Sequence, residues 1–270
     1  MIITQTSLRI SLLGGNTDFP AYFKKYGGAV LTTTIDKYMY CIVKERFDDL
    51  IYINYSIKEK VSKVADIKHD LVREAMKLVG VTKGIEITFL SDIPSEGSGL
   101  GSSSAVTVGV LNALHHYKNE SPTARQLAEE ACKIEVDILK KPIGYQDQYA
   151  VAFGGLNLIR FGKQIQIESI KGFINLMLFY TGVTRDSNKV LSKMKLNKKI
   201  LDRNKNLALS AIGSDETMFA KLLDEYWQLK KQLNKNVTND FINRLYARAL
   251  NAGALGGKIV GAGGGGFLLL

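Results

Sequence analysis

Residues 97–104, Gly-Ser-Gly-Leu-Gly-Ser-Ser-Ser, restrict what this chain can fold into more than any other stretch. Ahead of them, Gly84-Ile-Glu-Ile-Thr-Phe-Leu90 alternates as a half-buried strand does. Behind them, Val106, Val110, Ala113, Leu114 and Tyr117 fall at helical spacing, which predicts a helix over 105–117. Gly97, Gly99 and Gly101 free the backbone to turn its N–H groups inward, and Ser102, Ser103 and Ser104 carry oxygens suited to capping the helix. A helix N-terminus approached through such a loop is an anion site that suits phosphate. The same composition also suits a plain loop with a serine cap. A P-loop needs a lysine after its last glycine, and none follows Gly101. Further charge must come from elsewhere, most simply Mg2+ held by a serine hydroxyl and a carboxylate.

The 270 residues suffice for one large domain or two small ones, and 46% hydrophobic with 23% charged residues is ordinary globular composition. Cys41 and Cys132 stand alone, outside any metal or redox spacing, and read as reduced core thiols. The polar residues that follow Met1-Ile-Ile do not suit a signal peptide, and no apolar run approaches the ~20 residues of a membrane span. A cytoplasmic protein without a membrane partner is expected. A net charge of +10 invites nucleic acid. However, the lysines crowd only at 58–63, 193–205 and 230–235, segments that read as helical or loop-like and lack interleaved aromatics. They fit solvated faces better, and a basic balance also suits phosphorylated substrates.

Residues 2–11 read as a strand that carries Arg9 into Leu12-Leu-Gly-Gly-Asn-Thr-Asp18, a tight turn rich in short polar side chains. Locally Asn16, Thr17 and Asp18 are a capping turn ahead of Pro20. Residues 26–44 are β-rich, with Asp36 and Lys37 as a bulge or edge pair, and 51–55 is a further strand. Helices are expected over 67–79 and 121–139, the second ended by Lys141-Pro-Ile-Gly. Asp147 then lies in Tyr145-Gln-Asp-Gln-Tyr149, a loop or helix start, before a strand at 156–161. Beyond about 165 the pattern restarts: alternation over 164–170, a buried strand at 174–180, a helix carrying Arg185, and helical stretches through 251. Gly261-Ala-Gly-Gly-Gly-Gly266 formally fits a dinucleotide fingerprint, but a strand follows where that motif needs a helix. A second glycine turn packed on the first loop or on a ligand is the better reading.

Taken in order, Arg9–Asp18, Pro94-Ser-Glu-Gly-Ser-Gly-Leu-Gly-Ser-Ser-Ser-Ala105 and Gly261–Phe267 resemble the three motifs of the GHMP kinases, named for galactokinase, homoserine kinase, mevalonate kinase and phosphomevalonate kinase. The nearest subgroup is the 1-kinases of D-glycero-D-manno-heptose 7-phosphate, which Thr34-Ile-Asp-Lys-Tyr38, Tyr145-Gln-Asp-Gln-Tyr-Ala150 and Phe153-Gly-Gly-Leu-Asn157 also resemble. The resemblance implies an α+β GHMP-kinase fold. An N-terminal ribosomal-protein-like α/β domain would span 1–165 and a C-terminal ferredoxin-like α+β domain 166–270. Two departures stand out. Asn16 replaces a third glycine of the subgroup, and the subgroup runs on past residue 270 through another strand and helix, with a longer segment near 193–205.

The resemblance further implies ATP-dependent phosphorylation of the anomeric hydroxyl, toward a nucleotide-activated heptose for surface polysaccharide. Pro94, Ser95, Glu96, Gly97, Ser98, Gly99, Leu100, Gly101, Ser102, Ser103 and Ser104 would wrap the ATP phosphates, with Ser103 and Glu135 on Mg2+. Glu135 fits the family register before Pro142 better than Asp137 does. Asp147 would take or orient the hydroxyl proton and Arg9 would stabilise the transferring phosphate. Gly15, Asn16, Thr17, Asp18, Gly28, Asp36, Tyr145, Gly264 and Gly265 would hold the sugar, and Lys37 or Arg185 its 7-phosphate. The implied partners are a sugar phosphate and ATP, in a monomer or homodimer. Another GHMP sugar kinase, acting for example on fucose or galactose, is the runner-up. A non-enzymatic RNA-binding protein is disfavoured by Asp147, Glu135 and the intact loop.

Overall fold

A computed structural model describes residues 1–93, 97–172, 175–184, 187–193 and 196–270. Strand β1 (Ile2–Leu13) leads through helix α1 (Pro20–Tyr26) to β2 (Gly28–Glu45), then β3 (Ile51–Asn54), β4 (Lys58–Val61), α2 (Asp70–Val79) and β5 (Ile85–Ser91). Helices α3 (Ser102–Tyr117), α4 (Ala124–Cys132) and α5 (Gln146–Phe153) follow, then β6 (Leu156–Phe161), β7 (Gln166–Ser169) and β8 (Leu178–Tyr180). Helices α6 (Ser187–Leu191), α7 (Lys198–Ser210), α8 (Glu216–Leu233) and α9 (Asp240–Asn251) precede β9 (Lys258–Ile259) and β10 (Phe267–Leu269).

The long β2 organises a seven-stranded sheet. β1 runs antiparallel along it, β6 pairs with its first half and β5 with its second. β3 lies parallel to β5, β4 closes that side, and β7 adds to β6. Leu8, Ile10 and Leu12 of β1 join Met39, Cys41, Val43, Ile85 and Ile87 in a buried face that packs under α3. Burying side chains of this kind contributes on the order of 2 kcal/mol each. The helix approaches closely at Gly109, where a Cβ would lie 3.0 Å from Thr6 Oγ1, and the Gly109 carbonyl accepts from Thr4 Oγ1 at 2.9 Å. A second sheet, β8-β10-β9, is antiparallel and sits with α8 and α9.

Several expectations change. The basic run at 58–63 contains strand β4, paired with β3, where a helix or loop was expected. Of the buried strand expected at 174–180, residues 178–180 form β8, but its Phe179 and Tyr180 are exposed; Ile174 lies outside the described residues. The division expected between 165 and 166 would part β7 from β6, its hydrogen-bonded neighbour; the change of sheet comes after Ser169. The helix expected over 121–139 is α4 followed by a π-helical turn, Lys133–Ile138. Both cysteines are free and buried, as expected. Among the described residues no helix is long and apolar enough to cross a membrane.

One ion network fastens α3 to α4. The ring of buried His115 lies 2.5 Å from Glu120 Oε2 and 2.8 Å from Glu130 Oε2. Burial disfavours its charge, but the two carboxylates outweigh burial and hold its pKa above the ordinary value. A raised histidine pKa contributes stability below the unfolded value near 6.5, lost as pH rises through the folded value. His115→Gln should therefore cost more stability at pH 6 than at pH 9, as urea unfolding midpoints will show.

Candidate active site

Gly97, Gly99 and Gly101 all have positive φ (70°, 80° and 75°), the conformation for which glycine carries no penalty. The chain thereby reaches α3 with Gly101 at the N-cap, and no side chain caps the helix among the described residues. Ser102, Ser103 and Ser104 were expected to cap it; they lie instead within its first turn. Ser102 Oγ sits 3.1 Å from Ser98 Oγ, and Ser103 Oγ donates to Glu135 Oε2 at 3.1 Å. The first-turn N–H groups are thus left to a ligand, in the field of the helix dipole.

Arg9 joins this loop to the catalytic candidate. Its Nε donates to Asp147 Oδ1 at 2.7 Å, Nη2 to Oδ2 at 2.5 Å, and Nη1 to the Gly99 carbonyl at 2.7 Å. Helix α5 brings Asp147 there from its first turn. Asp18, fully buried, accepts from the Gln146 N–H at 3.1 Å and from Gln146 Nε2 at 3.2 Å. Desolvation pushes its pKa up to about 6, and the negative charge of Asp147 adds to the rise.

The π-helical turn carries Glu135 inward. An extra residue in the turn swings side chains out of ordinary helical register, so Glu135 is fully buried while Asp137 is exposed. Burial raises the Glu135 pKa, partly opposed by nearby Lys141 and by hydrogen bonds from Ser104 and Ser103. Glu135 Oε1 has no partner among the described residues. Left alone, such a buried oxygen costs several kcal/mol, about 1–3 or more for a charged group, so it fits a cation.

These groups line one cavity of about 890 Å³. Its wall includes Arg9, Gly15, Asn16, Asp18, the described loop residues 97–99 and 101–104, Glu135 and Asp147. Gly261 and Ala262 close the other side, and the second glycine turn does pack on the first loop. A Cβ at Gly261, whose φ is +66°, would lie 2.6 Å from the Gly99 carbonyl oxygen, and one at Gly266 would collide with the Ser98 carbonyl.

The family models of the GHMP kinases N terminal domain and GHMP kinases C terminal match residues 61–155 and 205–270. The D-glycero-alpha-D-manno-heptose 7-phosphate kinase of Campylobacter jejuni is 34% identical over 301 aligned residues, covering 99% of this chain and 88% of the relative. The chain belongs to the GHMP kinases. A crystal structure described as a D-glycero-D-manno-heptose 1-phosphate kinase from Bacteriodes thetaiotaomicron superposes with TM-score 0.79 at 25% identity, covering 100% of this chain and 88% of that one. A putative sugar kinase from C. jejuni gives TM-score 0.77 at 31% identity, with 99% and 87% covered.

Several residues expected in this kinase's site serve the scaffold. Thr17 is fully buried and donates to the Gly14 and Ala29 carbonyls, so its hydroxyl is committed to the turn. Gly28 leaves room for the Thr17 carbonyl, which a Cβ would overlap. Leu100 is buried in the core and its carbonyl accepts from Arg9 N at 2.9 Å. Tyr145 gives its N–H to the Asp18 carbonyl at 3.1 Å and packs its ring on Phe23. Asp36 and Lys37 are exposed and line no part of the cavity, because three residues of β2 bulge out opposite Leu8. Gly264 and Gly265 pack against Val237 and Val183 and do not face the cavity. Pro94, Ser95, Glu96 and Arg185 lie outside the described residues.

Among the lining residues that escaped the sequence reading, Gln146, Lys141, Tyr226 and Lys230 bring polar groups to the cavity. Gln146 adjoins Asp147 in chain, a signal that was available. Lys141 follows a left-handed Lys140 (φ 53°) just after the π-helical turn. Tyr226 and Lys230 come from α8, one turn apart, and nothing local marks them. Gly261→Ala should loosen the contact between the two glycine turns, lowering stability by about 1–3 kcal/mol; differential scanning calorimetry will measure it.

Proposed function

We propose that this kinase transfers the γ-phosphate of ATP to the anomeric hydroxyl of D-glycero-D-manno-heptose 7-phosphate, giving the 1,7-bisphosphate. The observation that carries the reading is the placement of Arg9, which holds Asp147 bidentately and reaches the glycine loop with the same guanidinium. A carboxylate for the acceptor hydroxyl and a cradle for the donor phosphate thus meet at one cation. The C. jejuni relative, aligned over 99% of the chain, bears the name of this substrate.

Each residue then has a role. The loop and the first turn of α3 bind the triphosphate through backbone N–H groups. Lys141, which lines the cavity with Ser103, Ser104 and Glu135, offsets phosphate charge that the loop has no lysine to meet. Ser103 and the unpartnered Glu135 Oε1 would hold Mg2+. When bound, the ion neutralises charge on the phosphate oxygens. Asp147 orients the anomeric hydroxyl and accepts its proton, while Arg9 stabilises charge on the transferring group. Asp18 accepts hydrogen bonds from sugar hydroxyls. The anomeric phosphate prepares the sugar for nucleotide activation, in the cytoplasm, for a lipopolysaccharide or capsule.

The test is a coupled ATPase screen over sugars and sugar phosphates, with the position of transfer assigned by 31P NMR. Heptose 7-phosphate should be the best acceptor, phosphorylated at carbon 1; preference for free fucose or galactose would move the enzyme to those kinases. Asp147→Asn should lower kcat by at least about a hundredfold while ATP affinity holds; a near-normal kcat would remove Asp147 from the mechanism. Glu135→Gln should raise the Mg2+ concentration needed for half-maximal rate, and an unchanged requirement would take the ion away from Glu135.

A further inference from the structure

Besides Glu135 Oε1, two polar atoms of residues in the cavity wall have no hydrogen-bond partner among the described residues. Asn16 has φ +72°, a left-handed conformation that glycine adopts freely and other residues at a cost, asparagine at less than most. It is 5% exposed, yet lines the cavity between Gly15 and Asp18. Its Nδ2 has no hydrogen-bond partner among the described residues. So a strained backbone, a desolvated donor and a cavity position coincide at a residue where glycine would relieve the strain. An unpaired buried amide and a left-handed backbone each lower stability.

Gln146 presents the complementary case. Its Nε2 is committed to Asp18 Oδ1 at 3.2 Å, but its Oε1, also buried, has no partner among the described residues. The cavity therefore offers a free donor at Asn16 and a free acceptor at Gln146, both tied to the carboxylate of Asp18. Gln146 bonds it directly, and the Asn16 N–H contributes to its hydrogen bonding. A sugar hydroxyl both donates and accepts, so vicinal hydroxyls suit such a set, whereas a ligand lacking one of them leaves a protein group buried and unpaired.

We propose that Asn16 and Gln146 are the specificity residues of this site: Asn16 Nδ2 donates to one sugar hydroxyl, Gln146 Oε1 accepts from another, and Asp18 lies alongside. The inference deepens the sugar-kinase reading and rests on it. The left-handed backbone at Asn16 is the cost of placing a donor where glycine has none.

The experiment measures heptose 7-phosphate turnover and thermal melting of wild type, Asn16→Gly and Asn16→Asp, with monodeoxy heptose 7-phosphates as further acceptors. Asn16→Gly should melt no lower than wild type, keep its KM for ATP, and raise KM for the sugar by about tenfold. Asn16→Asp, an acceptor in place of the donor, should do no better. In wild type two deoxy positions should be poor acceptors, and in Asn16→Gly one of these should lose its handicap. An unchanged sugar KM in Asn16→Gly, or a handicap retained at every deoxy position, overturns the role of Asn16. If wild type rejects heptose 7-phosphate but uses another sugar of the screen, the substrate reading fails. The same comparison with that sugar's deoxy series then decides on Asn16 and Gln146. Turnover of no sugar at all overturns both.

Discussion

The bidentate contact between Arg9 and Asp147 is the interaction around which the site is assembled. Arg9 is almost wholly buried, on a strand whose Leu8, Ile10 and Leu12 belong to the main core, and three hydrogen bonds hold its guanidinium in place. Its N–H fixes the Leu100 carbonyl and its Nη1 the Gly99 carbonyl, so strand, loop and helix α5 share one residue as their reference point. Gly101 completes the arrangement, since a Cβ there would lie 2.9 Å from Arg9 Cγ. A planar fork of donors holds a carboxylate in one orientation, which a lysine could not do. Phosphoryl transfer requires mainly that acceptor and donor be held in line, and this pair sets one side of that geometry before any ligand arrives.

The other side is set by the C-terminal sheet, through a lysine that does no chemistry. Lys258 of β9 is buried and donates to the Ser11 and Leu12 carbonyls, both at 2.7 Å, with its ammonium 4.3 Å from the Tyr226 ring centroid. Burial pulls its pKa well below the ordinary lysine value, and Lys230 and Arg9 repel it further. The two carbonyls and the aromatic face offset part of that cost. What results is a fixed registry between the second glycine turn and the strand end that leads to Gly15 and Asp18. A Cβ at Gly15 would come within 2.6 Å of Tyr226 Oη, so the sugar turn and α8 are fitted together at close quarters.

Much of this was legible in the sequence where the chemistry is local. The loop at 97–104 and Asp18 sit in short runs whose residue types announce hydrogen bonding or anion binding, whereas Arg9, Glu135 and Asp147 took their roles from the resemblance to a family and not from their local runs. The fold's centre was legible for the same reason: the alternation in 2–11 and 84–90 and the helical spacing after 105 are short-range patterns. What escaped depends on residues far apart in the chain. Strand β4 is half exposed and lysine-rich, and only its partner β3 makes it a strand. The β2 bulge that turns Asp36 and Lys37 away exists because β1 offers one residue opposite three. Thr17 was a capping-turn residue by its local run and a sugar ligand only by resemblance, and its hydrogen bond to the Ala29 carbonyl commits it to the turn. Tyr226 and Lys230 reach the cavity only through tertiary packing.

The π-helical turn shows why one misread element was also the most informative. A regular helix through 133–138 would carry Glu135 and Asp137 at ordinary spacing and leave the choice between them to register alone. The added residue buries Glu135 without a full set of hydrogen bonds and leaves Asp137 outside, near Tyr145. A broken helical ladder, a desolvated carboxylate and an unpartnered oxygen each lower stability, and Lys141 and Ser103 offset the burial of the carboxylate only in part. The same imbalance holds at Asp18, whose burial disfavours its charge, and at Asn16, whose backbone is strained. The unpartnered atoms of Asn16, Glu135 and Gln146 share the wall of one cavity, whereas those of His69, Gln148 and Asn204 lie away from it. What sets the cavity apart is that its unpartnered atoms sit beside the buried carboxylates of Asp18 and Glu135, where a charged, polyhydroxylated ligand supplies interactions that folding has withheld.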